Sequence, residues 1–328
     1  MQKVTIILAI LFFTGCKSDQ CREAINPTKS EVSLDIERIE PDLIEANSAK
    51  KVEKLLSENR TLSQLFLHSG QYPHDSILAG RLFTLLQNPY IDTLFEESRQ
   101  AFSDFNEIES QLETLVMGIQ SVYPNAPTPK VKTIVSGLYN DLYVSDSLIV
   151  IGLDYFIGEG ATYRPIDIPE YILRRYNNDH LVPTIGKFLA GDYVNLSRSE
   201  SFLSDMIDYG KTTYFLGRLL PCVPEHIIMG WTEEELQKAR ENQTIIWANF
   251  VENEVLYETN HLTKRKFLGE RPNVYEISQE CPGRIGAWIG WKIVESYMQN
   301  NEVTIPQLLK QNNNEELFRV SGYKPKNS

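Results

Sequence analysis

The sequence predicts an α+β fold that is mainly α, with one helical domain around a small central sheet. Apolar residues three or four apart recur over most of the chain, which is typical of helices that pack one face against a core. Two short runs rich in β-branched residues, 131–136 and 148–153, predict strands near the middle. With 328 residues, 42% of them hydrophobic, the chain has enough apolar material for a packed core.

The first predicted elements are a strand and a series of helices. Alternating apolar residues over 32–36 predict a half-buried strand. A helical pattern follows this strand and ends at Pro124, because proline lacks the backbone N–H that a helix interior needs. We assign this region, 31–129, as the N-terminal half of a single domain spanning 31–328. Its predicted helices cover 49–56, 62–68, 76–87, 90–102 and 108–119.

The second half, 130–328, begins with the two central strands. The polar residues between these strands fit a hairpin with a long turn. A segment rich in glycine, tyrosine and proline, 154–169, follows and predicts an ordered surface loop. The remaining chain is again helical, with predicted helices at 199–219, at 232–257 after a capping box of Thr232 and Glu235, and at 284–298.

The first sixteen residues predict an export signal and a lipid anchor. Lys3 precedes an apolar run, 4–13, which as a helix covers about 15 Å, roughly half of a bilayer core. The Cys16 that follows Gly15 resembles the bacterial lipoprotein box, in which the peptide is cut before a cysteine that carries diacylglycerol. We therefore expect a signal peptide at 1–15 and a lipidated tether at 16–30. The alternative is an ordinary secreted protein in which Cys16 is incidental.

The other cysteines do not form a recognisable pattern. Cys21, Cys222 and Cys281 are an odd number and contain no Cys-x-x-Cys spacing. Cys222 and Cys281 could pair, but no close spacing supports this bridge. We therefore expect three buried or unpaired thiols.

Composition and motifs exclude several classes of function. The chain has a net charge of −12 and no basic cluster, so it lacks the concentration of positive charge that is typical of nucleic-acid-binding proteins. No two histidines are four residues apart, and neither a nucleophile elbow nor a glycine-rich phosphate loop occurs, so we expect no metal, no cofactor and no catalytic residues. Asp154, Glu159 and Glu225, beside Gly- and Pro-rich segments, leave open a hydrolase that uses paired acids.

Several segments of the second half follow one another in a distinctive order. They are SLIVIGLDYFIG at 147–158, YRP at 163–165, MIDYGK at 206–211, GWTEEE at 230–235, PGRIGAWIGWKIV at 282–294 and SGYKP at 321–325. The chain thereby resembles the GldB-type gliding-motility lipoproteins of the Bacteroidetes over essentially its whole length. The resemblance implies a lipid-anchored component of the cell envelope that acts in gliding, a machinery tied to type IX secretion. It supplies no catalytic residues.

The order of strand, glycine-rich loop and helices is also similar to that of predicted gluzincin-type zinc peptidases. In those proteins the first helix carries His-Glu-x-x-His, whereas the corresponding helix here offers Asp208 and Lys211 and no histidine. The likeness implies an inactive layout that keeps a binding cleft. The candidate cleft or binding residues are Asp154, Tyr163, Arg164, Asp208, Lys211 and Arg284.

We expect a non-enzymatic protein, anchored at Cys16 to the inner or outer membrane and facing the periplasm. It would bind other envelope proteins of gliding or secretion. The alternatives are a degenerate peptidase-like protein with a peptide- or glycan-binding cleft, and a hydrolase that uses unassigned carboxylates.

Overall fold

A computed structural model of the protein describes residues 21–26 and 31–326. Over these residues the chain is mainly helical with one four-stranded mixed sheet, so the predicted α+β, mainly α, fold class is confirmed. The predicted signal peptide at 1–15 and the predicted lipidation site Cys16 lie outside the described residues. No helix in the described part of the chain is long and apolar enough to cross a membrane.

The N-terminal half consists of helices close to the predicted ones. Its hydrophobic periodicity placed α2 to α6 correctly to within a few residues, whereas the short α1, with Pro41 in its first turn, was not predicted. The helices are α1 (Glu40–Ile44), α2 (Ala49–Glu58), α3 (Arg60–Leu65), α4 (Asp75–Leu86), α5 (Pro89–Ala101) and α6 (Asn106–Val122).

The sheet has the order β1-β2-β4-β3, and its pairing corrects the predicted hairpin. β2 (Lys130–Ile134) and β4 (Leu148–Gly152) are neighbours, but they run parallel. β3 (Leu142–Val144) lies in the connection between them and pairs antiparallel with the outer side of β4. Almost all residues of β2 and β4 are buried, as expected for parallel strands covered on both faces. The first strand, β1 (Ile36–Arg38), pairs parallel with β2 and begins at the last residue of the strand predicted over 32–36.

The C-terminal half contains ten of the described α-helices. The predicted helix over 232–257 is in fact two helices, because Asn242 leaves the helical conformation at φ −109°, ψ 14°. The capping box of Thr232 and Glu235 is confirmed. The helices are α7 (Glu170–Leu173), α8 (Asn178–Gly191), α9 (Phe202–Leu219), α10 (Glu225–Met229), α11 (Glu233–Glu241), α12 (Gln243–Glu252), α13 (His261–Leu268), α14 (Ile285–Asn300), α15 (Ile305–Lys310) and α16 (Asn314–Ser321).

Helices α9 and α14 cross at close range in the middle of the core. A side chain added at Gly290 would overlap the Met206 carbonyl oxygen, and one added at Gly210 would overlap the Gly290 backbone. Glycine on both helices therefore lets the two backbones touch. Trp288 and Trp291 of α14 are almost fully buried beside this contact. The pair forms the frame on which the other C-terminal elements pack.

Cys21 and Cys222 form a disulfide across 201 residues. The expectation of unpaired thiols is therefore wrong for these two cysteines, and Cys222 does not pair with Cys281, which is free and buried. The physical reason is long-range packing that sequence spacing does not encode.

Arg22 fastens the segment 21–26 to the end of α9. Its backbone N–H donates to the Pro221 carbonyl oxygen at 2.9 Å, and its guanidinium lies over the Trp291 ring. This part of the predicted tether therefore lies on the folded body. The guanidinium donates to carbonyl oxygens at the end of α9 and just beyond it, namely those of Gly217, Leu220 and Val223.

Candidate functional site

The six residues predicted from the sequence lie in separate parts of the fold. Asp208 and Lys211 contact each other on α9, and Tyr163 and Arg164 are neighbours in the surface loop. Asp154 lies under the turn that follows β2, and Arg284 lies just before α14. Each group therefore has to be judged by its own contacts.

Asp154 holds a backbone turn. Its buried carboxylate accepts hydrogen bonds from the backbone N–H groups of Ser136, at 3.2 Å, and Leu138, at 2.6 Å. Burial raises the pKa of Asp154 to about 6, and the same backbone hydrogen bonds oppose that rise. Leu138 adopts a left-handed conformation at φ +60°, which is costly for leucine, and the carboxylate stabilises it.

Tyr163 and Arg164 belong to a loop that packs on the body. The Tyr163 ring, 40% exposed, meets the edge of the Tyr90 ring with centroids 5.6 Å apart. Arg164 pairs with Glu170 at 3.1 Å on the surface. These contacts fix the loop and leave the Tyr163 hydroxyphenyl group partly accessible.

Lys211 is the centre of a buried polar cluster, which we call the Lys211 cluster and define as Asp208, Lys211 and Asn314. The Lys211 ammonium is fully buried and lies 3.1 Å from an Asp208 oxygen, 2.6 Å from the Asn314 side-chain oxygen and 2.6 Å from the Gln311 carbonyl oxygen. The Asn314 amide donates to Asp208 at 2.7 Å. The cluster joins α9 to the start of α16.

Glu225, an acid considered for a hydrolase, is fully paired. It contacts Lys292 at 2.9 Å and Arg240 at 2.6 Å, and it accepts a hydrogen bond from the Trp288 indole at 2.6 Å. Burial alone would raise the pKa of Glu225, but these three partners outweigh it and lower the pKa to about 2. The carboxylate is thus ionised at neutral pH and unsuited to donate a proton.

Glu225 should therefore stabilise the fold in a pH-dependent way. Because its folded pKa of about 2 lies below the reference value of 4.5, the stabilisation is complete above about pH 4.5 and is lost as the pH falls toward 2. We expect Glu225→Gln to lower the free energy of unfolding by about 3 kcal/mol at pH 7. Urea unfolding at several pH values measures this. The exposed Glu159→Gln is the control, and a deficit that persists unchanged at pH 2 would contradict the assignment.

Arg284 lies in a cleft beside α8, with a volume of about 550 Å³. Three residues of α8 line the cleft. They are His180 and, seven and eight positions after it on the same face of the helix, Lys187 and Phe188. We call this the α8 cleft and define it by His180, Lys187 and Phe188 of α8 together with Arg175, Glu270 and Arg284.

Charged groups cluster at one side of the α8 cleft. Arg175 and Glu270 form a two-pronged ion pair at 3.0 and 2.6 Å, and the Arg284 guanidinium lies 3.4 Å from Glu270 and donates to the Met229 carbonyl oxygen. Burial alone would raise the pKa of Glu270, but both arginines help lower it to about 2. Arg284 is held at φ +60°, a strained conformation for a residue other than glycine.

Lys187 is the cation of the α8 cleft without a protein partner among the described residues. Burial, and then the positive charge of Arg284, lower the pKa of Lys187 to about 7. The ammonium is therefore partly desolvated and close to other cations. An anion entering the cleft would pair with this ammonium and would offset both its desolvation and its repulsion by Arg284.

His180 is neutral and presents a free acceptor. Its Nδ1 lies 2.9 Å from the Asn177 side-chain oxygen, and the Asn177 amide donates to the Arg174 carbonyl oxygen, so Nδ1 carries the proton. The buried Nε2 has no hydrogen-bond partner within residues 21–26 and 31–326. Burial, together with nearby cations, lowers the pKa of His180 to about 4, which keeps the ring neutral.

The comparisons with known proteins identify the family. A family described as gliding motility protein GldB matches the chain over residues 20–325. The chain belongs to the GldB family. The resemblance drawn from the sequence motifs is thus confirmed, and the protein is related to gliding motility. Neither the curated proteins nor the solved structures contain a match. The likeness to zinc peptidases therefore stays a prediction.

Of the α8 cleft residues of this GldB family member, sequence reasoning named Arg284 and missed the others. A signal did exist, because His180 and Lys187 are seven residues apart, and so on one face, in a helix whose other residues from 181 to 190 are apolar except for Thr184. Within the described ranges, no group of three or more His, Cys, Asp or Glu side chains is arranged to hold a metal ion.

Proposed function

We propose that the protein is a lipid-anchored, non-enzymatic component of the gliding machinery that acts at the cell envelope by binding another envelope protein. Membership of the GldB family supports the link to gliding. The position of Cys16 directly after Gly15 supports the anchor, and the fastening of residues 21–26 at the end of α9 by the Cys21–Cys222 disulfide and Arg22 would keep that anchor close to the body. Four residues lie between Cys16 and Cys21, and the five Cα-to-Cα steps can span at most about 18 Å, so a lipid on Cys16 would hold the body against the membrane.

The contacts of the candidate catalytic groups support binding rather than catalysis. Asp208 and Lys211 occupy the helix on which a zinc peptidase would carry its ligands, and both are engaged in the Lys211 cluster. Two of the acids considered for a hydrolase are also engaged: Asp154 accepts hydrogen bonds from a backbone turn, and Glu225 pairs with cationic side chains. The α8 cleft, in contrast, offers side chains that the fold leaves available, which favours it as the binding site.

The anchor is tested by Cys16→Ser in cells. We expect the variant to move from the membrane fraction to the soluble fraction and gliding to be lost, because a body without its acyl chains has no membrane attachment. Fractionation of cells and measurement of colony spreading give the two readouts.

Ser18→Ala, which leaves the predicted lipoprotein box intact, is the matched control and should stay in the membrane fraction. Unchanged fractionation of Cys16→Ser would contradict lipid anchoring. Metal analysis of the full-length protein purified in detergent tests the proposal that the protein is not an enzyme. One tightly held zinc per chain would contradict that proposal.

A further inference from the structure

The charges of the α8 cleft favour one negative group. Arg175 and Arg284 bring two positive charges and Lys187, when protonated, a third, whereas Glu270 and the exposed Asp192 bring two negative ones. Glu270 is already shared between the two arginines, so the unsatisfied charge lies at Lys187. A single carboxylate would balance the site, because a doubly charged phosphate would add more negative charge than the cleft lacks.

The rest of the α8 cleft is apolar. Phe188 is 59% exposed although Leu189, the next residue of α8, is buried, and Pro183 and Ile227 continue the apolar wall. This aromatic ring is exposed to water beside a cationic pocket, and an apolar side chain of a ligand would cover it. The ligand that fits therefore carries an apolar group next to its charge.

The His180 Nε2 adds a requirement for a donor. It is a buried acceptor without a partner in the described part of the chain, and such groups are usually satisfied by a ligand or by water. A peptide backbone N–H is a donor that always accompanies a carboxylate and an apolar side chain in a polypeptide.

We propose that the α8 cleft binds a peptide segment in which a carboxylate lies beside an apolar side chain, with Lys187 on the carboxylate and Phe188 against the side chain. This inference rests on the proposed binding function and names the chemistry of the partner. The carboxylate comes either from the end of a chain or from an acidic side chain.

The probes are three short peptides titrated into the full-length protein in detergent and followed by NMR or calorimetry. They are acetyl-Gly-Phe with a free carboxylate, the same peptide as its C-terminal amide, and acetyl-Phe-Glu-amide. We expect a carboxylate peptide to bind at least about tenfold more tightly than acetyl-Gly-Phe-amide. Binding of acetyl-Gly-Phe supports a chain end, and binding of acetyl-Phe-Glu-amide supports an acidic side chain.

Lys187→Gln should weaken binding of the carboxylate peptide by about tenfold or more, whereas Lys50→Gln, at an exposed position on α2 outside the cleft, should not. Lys187 has no protein partner among the described residues, so the variant should fold. Phe188→Ser provides a second variant and should weaken binding, with the exposed Tyr257→Ser as its control.

Equal binding of the amide, tighter binding of inorganic phosphate, or binding that Lys187→Gln and Phe188→Ser leave unchanged would overturn the proposal. The titration uses purified protein and no membrane. A negative result would therefore refute the cleft assignment alone, and release of Cys16→Ser from membranes would still decide the anchor.

Discussion

Replacing Lys211 with methionine is expected to lower the free energy of unfolding by about 3–5 kcal/mol. Methionine fills a similar volume, so the loss would come from the partners. Asp208 would keep its charge without the ammonium, and Asn314 would lose a hydrogen bond inside the core. Urea or guanidinium unfolding followed by circular dichroism measures the change.

Lys310→Met, at an exposed position on α15, is the matched control and should change stability by less than about 0.5 kcal/mol. Adding Asp208→Asn to Lys211→Met should recover part of the loss, because it removes the unpaired charge. If Lys211→Met were as stable as the control, the Lys211 cluster would not be the contact that holds α16 on α9.

Replacing Cys222 with serine is expected to have the other large effect. The disulfide closes a loop across 201 residues, and in the chain-entropy description a loop of this length restricts the unfolded state by about 5 kcal/mol. We expect Cys222→Ser to lose stability up to that amount. Unfolding with and without a reductant measures it, since Cys222 is exposed and accessible to reduction.

The reductant should destabilise the wild-type protein and leave Cys222→Ser unaffected. Cys281→Ala is the control, because Cys281 is not in a disulfide and its variant should keep the response to reductant. A wild-type unfolding midpoint that does not change on reduction would contradict the role given to this bond.

Local patterns of the sequence predicted elements but not their partners. The periodicity of α4 and the β-branched runs of β2 and β4 are local signals, and the structure has these elements close to the predicted positions. The parallel pairing of β2 and β4 depends on what covers both faces of the sheet, which a strand sequence does not specify. The Cys21–Cys222 bond likewise depends on tertiary packing, since the contacts of residues 21–26 with the end of α9 bring the two thiols together.

The same limit applies to the candidate site. Lys211 looked like a cleft residue, although Ile207 and Phe215, four residues before and after it, indicated the buried face of α9. Arg284 was named for the chemistry of its guanidinium, and it does line a cleft. Its neighbours Lys187 and Glu270 come from elements far apart in the sequence, so only the fold could place them together.

The Cys21–Cys222 bond also determines where mechanical tension would enter the protein. A pull on the chain ahead of Cys21 passes through the covalent bond to Cys222, three residues beyond the end of α9, and does not stretch helices α1 to α6. With the bond reduced, the same pull would first peel residues 21–26 from α9 and then load β1, a three-residue strand at the edge of the sheet. Oxidation would thus move the point at which the load enters the fold from the edge strand β1 to the chain just after α9.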